Sequence, residues 1–262
     1  DPSDKMALFQ LGETFIEIGE TRKALKHLQD LADLHIEETN LEDAQKVLQK
    51  ILTIQPDDID TMNPLADIYL TLGYAFEMVQ TCERMSALYL EKEAFNKVIE
   101  ISGEILKIRS QNITAYERLI DVYEQTSRSE EAVNLLFKLA DIYEEKENLD
   151  KEEECYERIL KKDNTNMEAR RRHIFLLLKL SHKQAAYREA RILSDQYTMR
   201  KEIDEAISLY RKLIEQNPED LPLHLHLLEL YKKAERKDDV IQELERIIDL
   251  YEKREEKAVA VE

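Results

Sequence analysis

The sequence predicts an all-α protein, a right-handed α-solenoid of about fourteen antiparallel helices. A 15-residue segment that starts at Ser129, SEEAVNLLFKLADIY, has four related copies, and successive copies start 54 residues apart without a gap. Apolar or small residues recur at offsets 3, 7, 10 and 13 of the copies, apart from Gln196 in the fourth, and these offsets form one face of an α-helix. Glycine and proline are scarce, with four and five residues in the chain. A fixed period of this length is typical of a solenoid that grows by stacking.

The repeated segment is predicted to be the second helix of each unit. Its copies start at Thr21, Ala75, Ser129, Lys183 and Lys237. One register position holds Leu31, Met85, Leu139, Leu193 and Ile247, and we expect all of them to be buried. The last four copies end on Tyr89, Tyr143, Tyr197 and Tyr251. We interpret these tyrosines as packing groups between units rather than as a stacking platform for nucleic acid bases.

Each unit is predicted to contain three helices, at about residues 5–18, 21–38 and 41–54 in the first unit. The chain is then a single solenoid, residues 1–262, with units at about 1–54, 55–108, 109–162, 163–216 and 217–262. The last unit is incomplete, and Lys257 to Glu262 occupy the place where its third helix would begin. Because the chain starts at a unit boundary and stops within a unit, we expect it to be a fragment of a longer protein.

Residues suited to helix ends recur at the predicted boundaries. Gly19 and Gly73 follow the first helices of their units, where a glycine can take a positive φ. The candidate N-caps are Asp58, Asn112, Asn166 and Asp220. Pro64 conflicts with a helix that starts at the first of these caps, because proline breaks the hydrogen bonding of a helix interior. We therefore expect that helix to start later, near Asp60 or Thr61, or to kink.

Several of these positions resemble the tetratricopeptide repeat family. The resemblance is carried by Leu11-Gly12, Phe15, Ala24, Leu28, Leu31-Ala32, Ala44, Leu48, Ile51 and Pro56, and most closely by 203–206, 210–213 and 217–218. That family repeats every 34 residues in helix pairs, whereas this chain repeats every 54 residues in helix triplets. The resemblance implies a superhelix of antiparallel helices and a protein-protein interaction scaffold or adaptor without enzymatic activity.

Charge and composition exclude several kinds of function. The net charge of −18 opposes binding to DNA, RNA or an acidic membrane, because those need clustered basic residues. No apolar run is long enough to span a bilayer. Cys82 and Cys155 fall at apolar register positions, which indicates buried thiols, suits a reducing compartment and favours a cytoplasmic protein.

The sequence contains no pattern typical of a catalytic, cofactor or metal site. The glycines form no phosphate-binding loop, and no nucleophile elbow occurs. The histidines are dispersed, and His224 and His226 point to different sides of a helix. His173 replaces a leucine found in register in the other units, and we interpret it as a core histidine with satisfied hydrogen bonds, with a ligand contact as the weaker alternative. We therefore predict no enzyme activity, no cofactor and no bound metal.

One basic segment stands out against this acidic background. Between Asn166 and Lys201, nine basic residues face only three acidic ones. The candidate partner-binding residues are Arg171, Arg172, Phe175, Lys179, Arg188 and Arg191. In one interpretation they form a basic stripe around an apolar anchor and bind an acidic peptide or helix. In the other, the arginines only satisfy neighbouring acids such as Glu154, Glu168 or Glu205.

The leading functional hypothesis is therefore a scaffold that binds a peptide or helix of a partner protein on the solenoid surface. The alternative is a structural spacer or assembly subunit that associates end to end with its own kind. Concentration-dependent sedimentation would distinguish the two, because only the spacer requires self-association.

Overall fold

The computed structural model describes the backbone of residues 4–259 and the side chains of residues 4–253. This part of the chain contains fourteen α-helices and no strand. The first seven are α1 (Lys5–Glu17), α2 (Thr21–Glu37), α3 (Leu41–Ile54), α4 (Ile59–Leu72), α5 (Ala75–Glu91), α6 (Phe95–Ile108) and α7 (Ile113–Gln125). The others are α8 (Ser129–Glu145), α9 (Leu149–Lys162), α10 (Met167–Lys179), α11 (Lys183–Met199), α12 (Ile203–Gln216), α13 (Leu221–Lys233) and α14 (Lys237–Val259).

The predicted all-α solenoid and the predicted number of helices are confirmed. Helices α1, α2 and α3 end within a residue of the expected bounds. The last helix, α14, continues without a break through Lys257, the place where the third helix of a complete unit would begin. Glutamate, lysine and arginine fill this stretch, and no glycine or proline interrupts it, so nothing in the sequence ends the helix there. Residues 260–262 lie outside the described residues.

In the described part of the chain, nine of the connections between consecutive helices are tight turns that use a left-handed residue. Gly19 and Gly73 have φ values of 80° and 79°, as expected. At the equivalent turns, residues with a side chain also take a positive φ: Thr39, Glu93, Ser127, Glu147, Ser181, Lys201 and Glu235. At Thr39 the turn is closed by a 2.8 Å hydrogen bond from the Asn40 N–H to the His35 carbonyl. These turns satisfy carbonyls that a helix end would otherwise leave without a donor.

The four candidate N-caps all precede a helix, but only two of them cap it with the side chain. Asn112 accepts a hydrogen bond from the Ala115 N–H at 2.8 Å. Asn166 accepts one from the Ala169 N–H at 3.0 Å. Asp58 instead accepts a hydrogen bond from the hydroxyl of Thr61, in the first turn of the same helix, and Asp220 accepts one from the hydroxyl of Tyr187 on α11.

Helix α4 begins at Ile59 and continues through Pro64. The expected later start near Asp60 or Thr61 is therefore wrong. Proline removes one hydrogen bond, to the carbonyl four residues earlier. Seven buried residues of α4 offset that loss, because tertiary packing supplies most of the stability of a helix in a protein.

The chain divides into two compact halves, an N-terminal half up to Leu135 and a C-terminal half from Leu136. Each has its own apolar core, made by the inward faces of consecutive helices. The five central register positions of the repeated segment are all buried, as predicted, with exposed fractions of 0–6%. Cys82 and Cys155 are buried free thiols, which confirms the prediction for both. In the part of the chain that is described, no helix is long and apolar enough to cross a membrane.

Candidate functional site

The basic segment occupies α10 and α11, which form one antiparallel pair in the C-terminal half. Ile174 and Leu177 of α10 pack into the same core as Ala186 and Ala190 of α11. The two alanines have no exposed surface, and such small residues let the helices approach closely. Because this stripe of each helix is buried, the basic side chains are displayed on the remaining faces.

Arg171 and Phe175 line a cleft of about 220 Å³ between α10 and α12. The other lining residues are Glu168, Tyr197, Glu205, Ser208, Leu209 and Lys212. Phe175 is only partly buried, while the Arg171 guanidinium donates a 2.7 Å hydrogen bond to Glu168. Burial, the largest influence, raises the pKa of Tyr197, whose phenol therefore stays protonated well above neutral pH. The cleft thus combines an apolar ring, two cations and several hydrogen-bonding groups.

Arg172 and Lys179 lie on another side of α10 and contact α8. The Arg172 guanidinium donates to Asp141 at 2.7 Å and to Glu168 at 2.9 Å. It also lies over the ring of Phe137, 5.6 Å from the ring centre, which is cation–π geometry. The Lys179 amine is 3.5 Å from a carboxylate oxygen of Glu144. These two cations hold α10 against its neighbour and do not face the cleft.

Glu168 is the carboxylate that both arginines share. Burial opposes its ionisation, but hydrogen bonds from Arg172 and then Arg171 lower the pKa of Glu168 below its ordinary value. Arg170, the residue before Arg171, is also paired with a carboxylate. It is buried, forms an ion pair with Glu189 and donates to the Asn164 carbonyl at 2.7 Å. Local ion pairs therefore account for most of the excess positive charge on α10.

Arg188 and Arg191 are exposed on α11. Within residues 4–253 neither forms a hydrogen bond or an ion pair. Arg188 is nine residues from Tyr197 on the same helix, which is two and a half turns, so the two side chains point to opposite sides of α11. Of the candidate residues, the structure brings Arg171 and Phe175 together in one cleft and places the other four elsewhere.

Two acids of the cleft, Glu168 and Glu205, were named from the sequence as ion-pair partners of the arginines, but the other groups of the cleft were not predicted. Tyr197 was noticed only as a member of the tyrosine series, and Ser208 and Lys212 of α12 were not considered. The spacing of Glu205, Ser208 and Lys212 does place them on one face of α12. That spacing could have indicated a shared face, but not that the face lies opposite Phe175.

The comparison with known protein families decides what this helical array is. Models described as tetratricopeptide repeat match residues 6–35, 28–58, 133–166 and 197–258, which together make up more than half of the chain. The chain belongs to the tetratricopeptide repeat family. Tetratricopeptide repeats generally mediate protein-protein interaction and scaffolding. No curated protein matches the sequence.

Several solved structures are similar to this tetratricopeptide repeat chain at low identity. A structure of Naa15/Naa10 bound to HypK-THB is 16% identical with a TM-score of 0.34, over 87% of this chain and 39% of that one. The chain therefore spans well under half the length of that relative. Pseudomonas aeruginosa pilF is 17% identical with a TM-score of 0.32, over 82% of this chain and 98% of that one. The MamA protein is 13% identical with a TM-score of 0.23, over 88% and 94%.

Proposed function

We propose that this tetratricopeptide repeat protein is a scaffold that binds a peptide or helix of another protein in the cleft between α10 and α12. The observation that carries the proposal is the partly exposed Phe175 ring beside the Arg171 guanidinium. Aromatic residues, phenylalanine included, and arginine are both enriched in protein interfaces relative to the rest of the protein surface. A partner with one apolar side chain and a flanking carboxylate fits this pair.

Arg171 can leave Glu168 for a partner at little cost. Glu168 would keep its hydrogen bond from Arg172, so its carboxylate would not be left without a cation. About half of the Arg171 side chain is exposed, and exposed ion pairs contribute only about 0–1 kcal/mol to stability. A carboxylate of the partner could then accept two parallel hydrogen bonds from the guanidinium, a geometry that lysine cannot offer.

The proposal is tested by selecting peptides from a displayed library on the purified protein and measuring their affinities. We expect selected peptides to combine an apolar residue with Asp or Glu, and their affinity to fall as salt concentration rises, through screening. Phe175→Ala and Arg171→Glu should each abolish binding while leaving the melting temperature close to that of the wild type. Selection of basic peptides, or binding unaffected by both substitutions, would contradict the proposal.

Arg188→Glu is the matched control, because Arg188 is an exposed arginine of the same helix pair on the side of α11 opposite the cleft. The cleft predicts that this substitution leaves affinity unchanged. A binding surface that also contains Arg188, as the sequence predicts, would give a different result. Complete loss of peptide binding would then need Arg171→Glu combined with Arg188→Glu. Comparing the single and double variants separates the two.

End-to-end self-association is the second candidate, and one surface favours it. Helix α14 exposes Ile241, Leu244, Ile248 and Tyr251, each by 40–58%. The four residues follow the i, i+3, i+7, i+10 pattern of one helix face. Sedimentation velocity over a range of concentrations tests this candidate, and a Glu substitution at Ile248 should abolish any concentration dependence. A chain that stays monomeric at all concentrations would rule it out.

A further inference from the structure

Two carboxylates and two histidines converge in the C-terminal half, away from the cleft. Glu153 and Glu157 are one turn apart on α9, His173 lies on α10, and His182 is the N-cap residue of α11. One potential ligand atom from each of Glu153, Glu157 and His173 lies within 4.8 Å of the others. The same oxygen of Glu153 is 3.7 Å from His173 Nε2 and 3.9 Å from His182 Nδ1.

His173 lacks the hydrogen bonds that a buried imidazole requires. Its side chain is only 9% exposed, and neither ring nitrogen has a hydrogen-bond partner among the described residues. His173 was expected to be a core histidine with satisfied hydrogen bonds. The burial is confirmed, and the expected hydrogen bonds are wrong. One face of the ring packs at an angle against Tyr156, with ring centres 6.3 Å apart, while Nε2 points toward Glu153. Leaving a buried polar group unpaired destabilises a protein, and most such groups are paired, so a missing partner at this position is a specific signal.

His224 shows that this fold can satisfy a buried histidine. The His224 ring is as buried as that of His173, yet its Nδ1 lies 2.5 Å from a Glu243 oxygen and its Nε2 lies 2.9 Å from the Pro218 carbonyl. Both nitrogens are used there, and the histidine is a structural core residue. The contrast with His173 is therefore a property of the site and not of histidines in this helical array.

We propose that Glu153, Glu157, His173 and His182 bind a divalent transition metal ion, with Zn²⁺ as the ion of best fit. Two imidazole nitrogens and two carboxylate oxygens are four ligands of the types that zinc prefers, and zinc sites in proteins are usually four-coordinate. Mg²⁺ and Ca²⁺ take oxygen ligands almost exclusively, so the histidines argue against them. Bonds of about 2.0–2.1 Å in a tetrahedron place neighbouring ligand atoms about 3.3 Å apart. The Glu153–His173 and Glu153–His182 separations exceed that value by less than an ångström. Glu157 is within 4.8 Å of Glu153 and His173, and His182 is outside that group, so both side chains would have to move closer to the ion.

The position of the site indicates what the metal would do. Its ligands come from α9, from α10 and from the turn that leads into α11, so a bound ion would join three consecutive elements at one point. The two glutamates are on the same face of α9 at i, i+4 spacing. Because the ion would bind only the folded state, it would stabilise the C-terminal half of the chain by an amount that grows with the logarithm of metal concentration above the dissociation constant.

The test is titration of chelator-treated protein with Zn²⁺, followed by calorimetry and by thermal melting. We expect one ion per chain and a melting temperature that rises with zinc concentration. His173→Leu should lose binding without unfolding, because leucine occupies the equivalent position at Leu65, Leu119 and Leu227. Its melting temperature in the absence of metal should equal or exceed that of the wild type, since the unpaired imidazole is removed.

Glu154→Gln is the matched control for Glu153→Gln. The two carboxylates are neighbours in the chain, but Glu154 is mostly exposed and forms an ion pair with Lys151 at 2.6 Å. Glu153→Gln and His182→Gln should weaken zinc binding, and Glu154→Gln should not. His182→Gln is informative for a second reason, because its exposed side chain can be changed without disturbing the core.

Co²⁺ substitution supplies an independent readout of geometry. Co²⁺ in a four-coordinate site with nitrogen and oxygen ligands gives visible absorption that six-coordinate aqueous Co²⁺ largely lacks, and that absorption should vanish in His173→Leu. The proposal is overturned if the wild type binds no zinc. It is also overturned if His173→Leu and Glu153→Gln bind zinc like the wild type, or if Glu154→Gln weakens binding as much as Glu153→Gln, since the ion would then be held by the acidic surface in general.

Discussion

At the scale of single residues, helical periodicity predicts burial well and hydrogen bonding poorly. The register positions of Leu139, Cys82 and Cys155 were enough to place all three side chains in the core. The same register marked His173 as a residue in a leucine position, but could not show that its nitrogens lack partners. Burial depends on the face of one helix, which the sequence contains, whereas a hydrogen bond depends on which side chains neighbouring helices present.

Leu139 provides the most direct test of the core. It is 2% exposed and stands at the centre of the repeated segment, so Leu139→Ala should lower the free energy of unfolding by about 2–5 kcal/mol. Asn134→Ala, on the exposed face of the same helix, is the control and should change it by less than about 0.5 kcal/mol. Equal effects of the two substitutions in urea unfolding would show that the predicted face is not the buried one.

Cys82 gives the protein a specific response to alkaline pH. Burial raises the pKa of the Cys82 thiol to about 11, while an unfolded thiol ionises near 8.5. Between these values the unfolded chain loses the proton first, so stability should fall as pH rises from about 8.5 to 11. The Cys82→Val variant lacks this group and should show a shallower decline over the same range. Parallel declines in unfolding free energy would contradict the assignment.

At the scale of elements, helix bounds follow from local signals, and caps do so only in part. The bounds of α1 to α3 were predicted within a residue because apolar periodicity ends where the turns begin. Asn112 and Asn166 cap their helices, whereas Asp58 and Asp220 accept hydrogen bonds from Thr61 and Tyr187 instead. An oxygen at a helix start can accept from a backbone N–H, from a nearby hydroxyl such as that of Thr61 or from a distant one such as that of Tyr187, and the sequence does not show which donor it takes.

The left-handed turns between helices offer a prediction with an internal control. Glu147 is exposed and has a φ of 55°, a conformation that favours glycine. Glu147→Gly should therefore raise the free energy of unfolding by about 0.5–1 kcal/mol, after allowance for the greater freedom of glycine in the unfolded chain.

Gly73→Ala is the opposite substitution at an equivalent turn. A methyl group there would meet no atom within 4 Å, so any loss of stability would come from the backbone alone. We expect a loss of about 1–2 kcal/mol. Changes of the same sign in both variants would show that φ does not control stability at these turns.

At the scale of the whole molecule, the repeat pattern was enough to predict an all-α solenoid and membership of the tetratricopeptide repeat family. It was not enough to predict the cleft. Arg171 and Phe175 were expected to face a partner together, and they do share one cleft. Four other residues were expected to extend it and lie elsewhere. Arg172 and Lys179 pair with acids of α8, and Arg188 and Arg191 are exposed on α11.

Hydrogen exchange with a bound peptide tests the central claim most directly. A peptide selected on the wild-type protein is added at saturating concentration, and amide exchange is compared with and without it. The account predicts slower exchange in α10, which carries Phe175, and in α12, which lies across the cleft. It predicts no such effect with the Phe175→Ala variant. Protection confined to other helices, such as α14, would contradict it.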